Sequence, residues 1–482
     1  MSTIASISTA PGIGGIGIIR MSGEKSFEVL EKIFVPKKYQ KIEEIKGYTM
    51  KYGNIVEDGE IIDEVLVSYF KAPKSYTTEN MCEINSHGGN VIVKKILELC
   101  LKNGAELAEP GEFTKRAFLN GRIDLAQAES VIDVINAKSD REAKSGIKQL
   151  EGYLSKEIKD IKQEILDVLV NIEVTIDYPE YDTPEVQENE MRKMLSSVGN
   201  KLEKLEKSFD NGKIIKEGIK TAIIGKPNAG KSSLLNAILK EDRAIVTDIA
   251  GTTRDTIEEF VNINGIPLKL VDTAGIRTAS DEVEKIGIEK SIKQAEDADL
   301  VIAIFDSSKE LSKEDLDILD LIKNKKAIIL LNKSDLNSVI TEDDVRLTEV
   351  TKNILRISAL NKTGIEKLYE KISELFNLNE INLDNDVLIT NVRHKNIISK
   401  AIENVKKANE ALNMNMPIDI ITIYIKEILE DLGEITGEVV TDDIINEIFS
   451  KFCLGKWYAS LKIKNTIKFS KSKIRHFYIW DG

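Results

Sequence analysis

The amino-acid sequence predicts an α/β domain followed by an all-α domain, with a second α/β domain inserted into the all-α one. Residues 1–120 alternate short β-rich runs with helical runs. Apolar residues recur at helical spacing over residues 124–176, resume at 188–209 after an interruption at 178–184, and return after residue 379. Between these stretches, apolar strands are separated by helices, which is the rhythm of a mostly parallel sheet. A helical domain with an insertion explains why the helical spacing stops and then returns.

The length of 482 residues suits about three domains. We predict an N-terminal domain at 1–120, a helical domain at 121–217 and 380–456, the insertion at 218–379, and a C-terminal extension at 457–482. The extension is atypical because it has six Lys or Arg residues, one Asp and both tryptophans, in a chain of net charge −13. That acidic balance argues against a uniformly basic coat for nucleic acid, although a local patch is compatible with it.

The composition indicates a cytoplasmic protein. Hydrophobic residues make up 42% and charged residues 30%, and no run of about 18 apolar residues offers a membrane span. The first residues lack the basic flank and apolar core of a secretory signal. The three cysteines are too few for a disulfide framework and, with the three histidines, show no zinc-ligand spacing: Cys82, Cys100, Cys453, His87, His394 and His476. Any bound metal is therefore expected to have oxygen ligands.

The N-terminal domain offers one ambiguous motif. Residues 12–17 formally satisfy the GxGxxG pattern of a dinucleotide-binding fold. The residues that follow are β-like rather than helical, which argues against that interpretation. We expect strands at 4–8, 15–21, 61–70 and 81–85, and helices at 23–34 and 90–102.

The strongest motif is a phosphate-binding loop at residues 225–232, GKPNAGKS. It follows the strand TAIIG and opens the helix SSLLNAIL, as such a loop requires. In this context backbone N–H groups wrap the phosphates, Lys231 neutralises β and γ oxygens, and the Ser232 hydroxyl binds Mg²⁺. A chance match is possible for this motif alone, so the other nucleotide motifs decide.

Three further motifs follow in the order and spacing of a GTPase. Residues 272–275, DTAG, end a strand where an aspartate reaches the magnesium shell and a glycine amide senses the γ-phosphate. Residues 332–335, NKSD, follow another strand, and the Asp335 carboxylate suits the two donors of guanine. Residues 358–360, SAL, offer a backbone contact to the base. The inserted domain is therefore predicted to be a Ras-like α/β P-loop GTPase domain.

The catalytic step departs from the Ras pattern at two places. Ile276 stands where Ras-type enzymes have a glutamine that positions water. One carboxylate of the acidic cluster at 281–284, DEVE, is a candidate for that role, although acids are also common at a solvated helix start. Asn228, within the phosphate loop, could hold a monovalent cation near the β and γ phosphates in place of an arginine finger.

The ordered strings GKPNAGKSSLLNAIL, AIVTDIAGTTRDT, DTAGIR and DEVEKIGIEKS closely resemble the bacterial tRNA-modification GTPase MnmE (TrmE) family. The likeness covers roughly residues 3–456 and includes TAPGIGGIGIIRMSG, GEFTKRAFLNGRIDLAQAE and the terminal KFCLGK. The resemblance implies a folate-binding N-terminal domain that dimerises, a helical domain, and a GTPase inserted within the latter.

By this resemblance, Glu284 is the catalytic glutamate. Mg²⁺ is held by Ser232 and Thr253. K⁺ is held by the Asn228 side chain, the carbonyls of Thr247 and Ile249, and Thr252. The predicted GTP-binding residues are Asn228, Ala229, Gly230, Lys231, Ser232, Ser233, Thr247, Thr252, Thr253, Asp272, Gly275, Asn332, Lys333, Asp335, Ser358 and Ala359.

The resemblance also implies folate contacts at Arg20, Glu83, Arg122 and Lys456, for 5-formyl- or 5,10-methylene-tetrahydrofolate. The family often has lysine at the Arg122 position, which leaves the geometry there open. Cys453 is needed for modification in the family, whereas from the residues alone it reads equally well as a buried helix cysteine.

The implied activity is modification of carbon 5 of the wobble uridine (position 34) of tRNA. It is carried out by a homodimer together with the FAD protein MnmG in a heterotetramer, with no membrane involved. The main alternative is a switch GTPase of ribosome assembly without folate chemistry. Arg20, Glu83 and the FCLGK end argue for the first function, because an assembly GTPase has no need of them. The extension at 457–482 is either incidental or binds tRNA by phosphate attraction and base stacking.

Overall fold

The computed structural model describes residues 1–41, 44–177, 184–239, 244–245, 259–263, 265–270, 295–378 and 387–452. Its strands are β1 (Ile4–Ile7), β2 (Ile16–Ser22), β3 (Phe34–Pro36), β4 (Thr49–Glu57), β5 (Glu60–Phe70), β6 (Met81–His87), β7 (Glu106–Leu107), β8 (Ile219–Ile224), β9 (Ala244–Ile245), β10 (Glu259–Ile263), β11 (Ile266–Leu270), β12 (Leu300–Asp306), β13 (Ala327–Asn332) and β14 (Ile354–Arg356). Its helices are α1 (Ser26–Ile33), α2 (Asn90–Lys102), α3 (Glu112–Leu119), α4 (Leu125–Asn136), α5 (Asp140–Leu150), α6 (Tyr153–Asp177), α7 (Pro184–Glu217), α8 (Lys231–Leu239), α9 (Lys313–Ile322), α10 (Val345–Thr348), α11 (Ile365–Leu375), α12 (Val392–Asn413), α13 (Ile418–Thr436) and α14 (Asp442–Ser450).

The chain forms two compact units. One comprises Met1–Ile132 and the segment from Thr436 onward, and the other comprises Asp133–Ile435. The second unit contains both the nucleotide motifs and most of the long helices. The boundary between these two units, at residues 132 and 436, does not coincide with the domain limits predicted from the sequence. Those limits stay a prediction.

The first unit is built on a seven-stranded sheet of order β3-β4-β5-β6-β2-β1-β7. Neighbouring strands are antiparallel except for the parallel pair β1 and β7. The glycine-rich residues 12–17 lead into β2, which pairs with β1 and β6. A strand therefore follows residues 12–17, where a dinucleotide-binding motif needs a helix. The dinucleotide-binding interpretation of this motif is wrong.

One face of this sheet is covered by α1 and α2. Ile19 and Met21 of β2, and Cys82 and Ile84 of β6, belong to the core that those helices share. Side chains alternate between faces along a strand, so Arg20 and Glu83 lie on the opposite face. That opposite face carries two of the residues that the family resemblance singled out.

A second, smaller core in the first unit joins α3, α4 and α14. Its buried members include Leu125, Ala128, Phe449 and Phe452. Gly111 has φ 62°, and a Cβ there would lie 2.8 Å from the Phe452 ring. Glycine at this position therefore lets the chain near residue 452 approach the start of α3.

The helices that follow the N-terminal region are more divided than the sequence suggested. The continuous helical spacing of 124–176 is split into α4, α5 and α6. The Ser139 side chain accepts a hydrogen bond from the Glu142 N–H and begins α5, while Gly152, at φ 89°, separates α5 from α6. A capping serine and a left-handed glycine interrupt a helix without changing its apolar spacing, which explains the difference.

The sheet of the second unit has the order β14-β13-β12-β8-β11-β10-β9. Five of its seven strands, β8, β11, β12, β13 and β14, are parallel, as the sequence predicts. The run VNINGIPLKL forms two antiparallel strands instead of one, because Gly265, at φ 83°, turns the chain and donates its N–H to the Asn262 side chain at 2.7 Å.

These two sheets and the helices confirm the predicted fold class. Because parallel strands have their carboxyl ends at one edge, β8, β12 and β13 place the loops that follow them side by side. Within the described part of the chain, no helix is both long and apolar enough to cross a bilayer.

Candidate functional site

The phosphate loop connects β8 to α8, as the sequence predicts. Asn228 and Gly230 both have positive φ, at 61° and 108°. A Cβ on Gly230 would lie 2.0 Å from the Asn332 Nδ2, so only glycine fits there. The tight turn directs the chain into the first turn of α8, where Ser232 and Ser233 lie. A helix N-terminus is a ready site for phosphate, because its N–H groups and the helix dipole favour negative charge.

Lys231 begins α8 and its side chain lies over the loop. Its Nζ donates to the carbonyls of Gly225 at 2.5 Å and Lys226 at 2.9 Å. Burial lowers the pKa of the Lys231 ammonium, because a low dielectric disfavours the charged form. A partly buried ammonium held by carbonyl oxygens interacts strongly with an incoming anion.

Asn332 joins the phosphate loop to the segment at residues 358–360, which the sequence predicts to contact the base. Its side-chain Nδ2 donates to the Ala229 carbonyl at 2.8 Å, and its Oδ1 accepts from the Ala359 N–H at 2.9 Å. Asn332 is 3% exposed, so both bonds lie in the protein interior. This single amide therefore links two other predicted site residues, Ala229 and Ala359, that are far apart in sequence.

Asp335 and Ser358 are also in contact. The Ser358 hydroxyl donates to the Asp335 Oδ1 at 2.6 Å. The bond orients the carboxylate that the sequence predicts to accept hydrogen bonds from guanine. Lys333, at φ 62°, pairs through its Nζ with Asp306 at 2.7 Å. Burial of Asp306 opposes ionisation, but hydrogen bonds from Lys333 and Ser308 outweigh it and lower the pKa of this carboxyl.

Several predicted residues lie outside the described part of the chain. They are Thr247, Ile249, Thr252, Thr253, Asp272, Gly275, Glu284, Cys453 and Lys456, together with the extension at 457–482. Their assignments stay predictions.

The first unit brings Arg20, Glu83 and Arg122 to one place. Arg20 and Glu83 are directly paired across β2 and β6, and the Arg20 Nε donates to the Glu83 Oε1 at 2.8 Å. The Arg20 guanidinium lies 5.4 Å from the Tyr76 ring centroid, and the Arg122 guanidinium lies 4.8 Å from the same centroid. The two arginines therefore share one aromatic ring.

Two aromatic members of this cluster were not expected from the sequence. Phe113 lies 5.5 Å from the Arg20 guanidinium, and the Tyr76 hydroxyl is hydrogen-bonded to Thr114 at 2.9 Å. Arg122 also donates to the Tyr76 carbonyl at 3.3 Å. The one sequence signal was the position of Phe113 inside the string GEFTKRAF. Flat rings beside guanidinium groups suit a planar ligand with acidic substituents.

Two family models match the chain. One, the MnmE helical domain, matches residues 125–453, and the other, the GTP-binding protein TrmE N-terminus, matches residues 3–122. The chain belongs to the MnmE family of tRNA modification GTPases. As a member of the MnmE family it is a GTP hydrolase, in agreement with the motifs that the second unit brings together.

Relatives of the chain match it along nearly its whole length. A tRNA modification GTPase MnmE from Acetivibrio thermocellus is 51% identical over 456 residues, which is 94% of this chain and 99% of the relative. The MnmE of Clostridioides difficile is 51% identical over 454 residues, again 94% and 99% of the two chains.

Solved structures give a more local likeness. The G domain of the Thermotoga maritima FeoB iron transporter is 28% identical, covers 33% of this chain and 98% of that one, and has a TM-score of 0.25. The FeoB G-domain from Methanococcus jannaschii is 27% identical, with the same coverages and a TM-score of 0.24. Scores this low carry no information on mechanism.

Proposed function

We propose that the chain is a potassium-dependent GTPase that acts with the FAD protein MnmG on carbon 5 of the tRNA wobble uridine. A tetrahydrofolate derivative supplies the one-carbon unit, the product is an aminomethyl or carboxymethylaminomethyl group, and the reaction takes place in the cytoplasm. The observation that carries this proposal is the meeting of Arg20, Glu83 and Arg122 around Tyr76, in a chain of this family.

The chemistry of that cluster supports a folate ligand. A pterin ring presents adjacent N–H donors, and a carboxylate such as that of Glu83 can accept hydrogen bonds from them. The ring itself can stack on Tyr76 or Phe113, and the glutamate tail needs cations such as Arg122. The Arg122 guanidinium keeps the charge of the lysine often found there and stays beside Tyr76.

The first prediction concerns folate. Titration of 5-formyl-tetrahydrofolate into the full chain should show saturable binding. Replacing Arg20 by alanine should weaken it at least about tenfold, because a charge-assisted hydrogen bond and a ring contact are lost. Isothermal calorimetry measures both affinities.

Lys37→Met is the matched control for this titration. Lys37 also combines a cation, a ring and a carboxylate, with its Nζ 5.9 Å from the Tyr52 centroid and 3.4 Å from Glu64. It follows β3, at the far edge of the same sheet. Its variant should bind folate like the wild type. If the wild type does not bind folate, the proposed function is wrong and the ribosome-assembly alternative is favoured.

A homodimer through the N-terminal domain is part of the proposal. The face opposite α1 and α2 exposes Met50, Tyr52 and Leu66, at 57%, 48% and 43%. Exposed apolar side chains on a sheet face are typical of an interface, which supports a second copy of the chain there. We extend this to a heterotetramer with MnmG.

Two cations complete the proposed GTPase site. The Ser232 hydroxyl, in the first turn of α8, has the hard oxygen that Mg²⁺ prefers, and Thr253 is proposed to join it. Amide and carbonyl oxygens suit K⁺, and the exposed Asn228 side chain in the phosphate loop provides one of them. Thr247, Ile249 and Thr252 are proposed as the others. A cation beside the β and γ phosphates offsets charge that develops during hydrolysis.

The second prediction follows from this cation. GTP hydrolysis should be faster in KCl than in NaCl at equal ionic strength. Loss of one charge-stabilising group typically costs about 10²–10³-fold in rate, so the difference should be large. Phosphate release under saturating GTP measures it. Asn228→Ala should remove most of the difference, whereas equal wild-type rates in both salts would rule out the potassium assignment.

A further inference from the structure

Residues outside the nucleotide motifs contact the phosphate loop. Lys226, the second residue of GKPNAGKS, sends its side chain away from the loop to Asp315, in the first turn of α9. The Lys226 Nζ lies 2.5 Å from the Asp315 Oδ2. The two residues are 89 positions apart, so only the tertiary fold brings them together.

The pair is shielded from solvent. The Asp315 side chain is 2% exposed and that of Lys226 is 18% exposed. A carboxylate buried to this extent requires a counter-charge, because desolvation otherwise opposes its ionised form. Water screens the pair little, so this contact is stronger than an ordinary surface ion pair.

Asp315 also caps the start of α9, but capping alone does not explain its ion pair with Lys226. Its Oδ2 accepts from the Ser312 N–H at 2.9 Å and from the Ser312 hydroxyl at 2.8 Å, which completes a capping box at the start of α9. Capping needs a side-chain acceptor but no counter-ion. The buried Oδ1 of Asp315 has no hydrogen-bond partner, so Lys226 is the cation that balances this carboxylate within the described residues.

The same lysine residue contacts the phosphate-binding ammonium. The Lys226 carbonyl accepts from the Lys231 Nζ at 2.9 Å. A continuous chain of contacts therefore runs from α9 through Asp315 and Lys226 to Lys231. Movement of Lys226 would displace the carbonyl that holds Lys231.

We propose that Asp315 is a positioning residue for GTP binding, which holds the phosphate loop in its nucleotide-binding shape through Lys226. The inference concerns the GTPase site itself and is independent of folate, K⁺ and tRNA. A loop that is already ordered loses less conformational entropy when it binds phosphates, so its affinity is higher. The loop holds the phosphates in the ground state as well as in the transition state, so the pair acts on affinity more than on kcat.

A rival explanation is that Lys226 attracts phosphate directly by its charge. Asp315→Asn separates the two explanations, because it leaves the charge of Lys226 without its carboxylate partner and weakens the contact between α9 and the loop. Positioning requires this variant to bind GDP about tenfold more weakly, the size expected for one charge-assisted contact. Direct attraction requires GDP binding to be unchanged or tighter.

The experiment measures mant-GDP affinity, thermal unfolding of the nucleotide-free full chain, and kcat at saturating GTP. Asp315→Asn and Lys226→Met should each weaken mant-GDP about tenfold, and the double variant no further, because both remove one contact. Lys226→Arg should restore affinity to within about threefold of wild type, because it keeps the pair. The kcat of Asp315→Asn, whose substitution lies outside the phosphate loop, should fall less than its affinity for mant-GDP does.

Lys371→Met is the matched control. Lys371 pairs with Glu374 at 2.7 Å on α11, away from the phosphate loop. The Lys371→Met variant should therefore bind mant-GDP like the wild type. If Lys226→Met fails to fold, the double variant, which also removes the buried carboxylate, carries the test. Unchanged or tighter binding by Asp315→Asn, additive losses in the double variant, or a Lys226→Arg variant as weak as Lys226→Met would each overturn the proposal.

Discussion

Asp335→Asn is expected to lower GTP affinity by on the order of 10²–10⁴-fold and to create affinity for xanthosine triphosphate. Guanine presents two hydrogen-bond donors, N1–H and the exocyclic amine. A carboxylate accepts one hydrogen bond from each of them. The amide of asparagine turns a donor towards one of them. Xanthine has a carbonyl in place of that amine, so it matches the amide. Competition binding against mant-GDP measures both nucleotides.

Ser358→Ala is the control for this change of specificity. The variant removes the hydroxyl that donates to Asp335 at 2.6 Å but keeps the carboxylate. GTP affinity should fall by only about tenfold, with no gain for xanthosine triphosphate. If the Asp335→Asn variant still prefers GTP, the assignment of residues 332–335 as the base-recognition motif is wrong.

Glu284→Ala is expected to slow GTP hydrolysis by roughly 10²–10⁴-fold, the usual loss when a group that activates water is removed. Affinity for GTP should be nearly unchanged, because water activation belongs to the transition state. Single-turnover hydrolysis and mant-GTP binding measure the two quantities separately. The prediction rests on the family resemblance, since Glu284 lies outside the described residues.

Glu282→Ala is the matched control for Glu284, because it removes a carboxylate from the same acidic cluster. Its hydrolysis rate should stay near that of the wild type. Equal losses in both variants would mean that the cluster acts by its overall charge. A comparable loss of GTP binding in the Glu284 variant would mark the residue as structural.

The nucleotide motifs were predictable because each one is local. Residues 225–232 form a loop between a strand and a helix, and GKPNAGKS encodes that loop through its glycines and lysine. The end of β13 places Asn332 next to the loop through parallel strand order, which alternating strands and helices also predict. The order of the motifs was therefore enough to expect that they meet.

The local turns were less predictable. Ser139 and Gly152 divide a region of unbroken helical spacing, and Gly265 divides a run of apolar residues into two strands. At Gly265 the apolar run extends across the break, because Ile263 and Ile266 on its two sides are buried in the same core. A single capping or left-handed residue therefore outweighs the periodic signal.

The sequence by itself determined the fold class, the family, the GTPase motifs and the residues to examine in the N-terminal domain. Only the tertiary structure decided that Tyr76 and Phe113 join Arg20, and that Asp315 joins Lys226. The physical reason is distance along the chain. Motifs depend on local backbone geometry, whereas Arg20 and Glu83 lie 63 residues apart and Lys226 and Asp315 lie 89 apart. Such pairs depend on strand register and helix packing, which composition and periodicity do not encode.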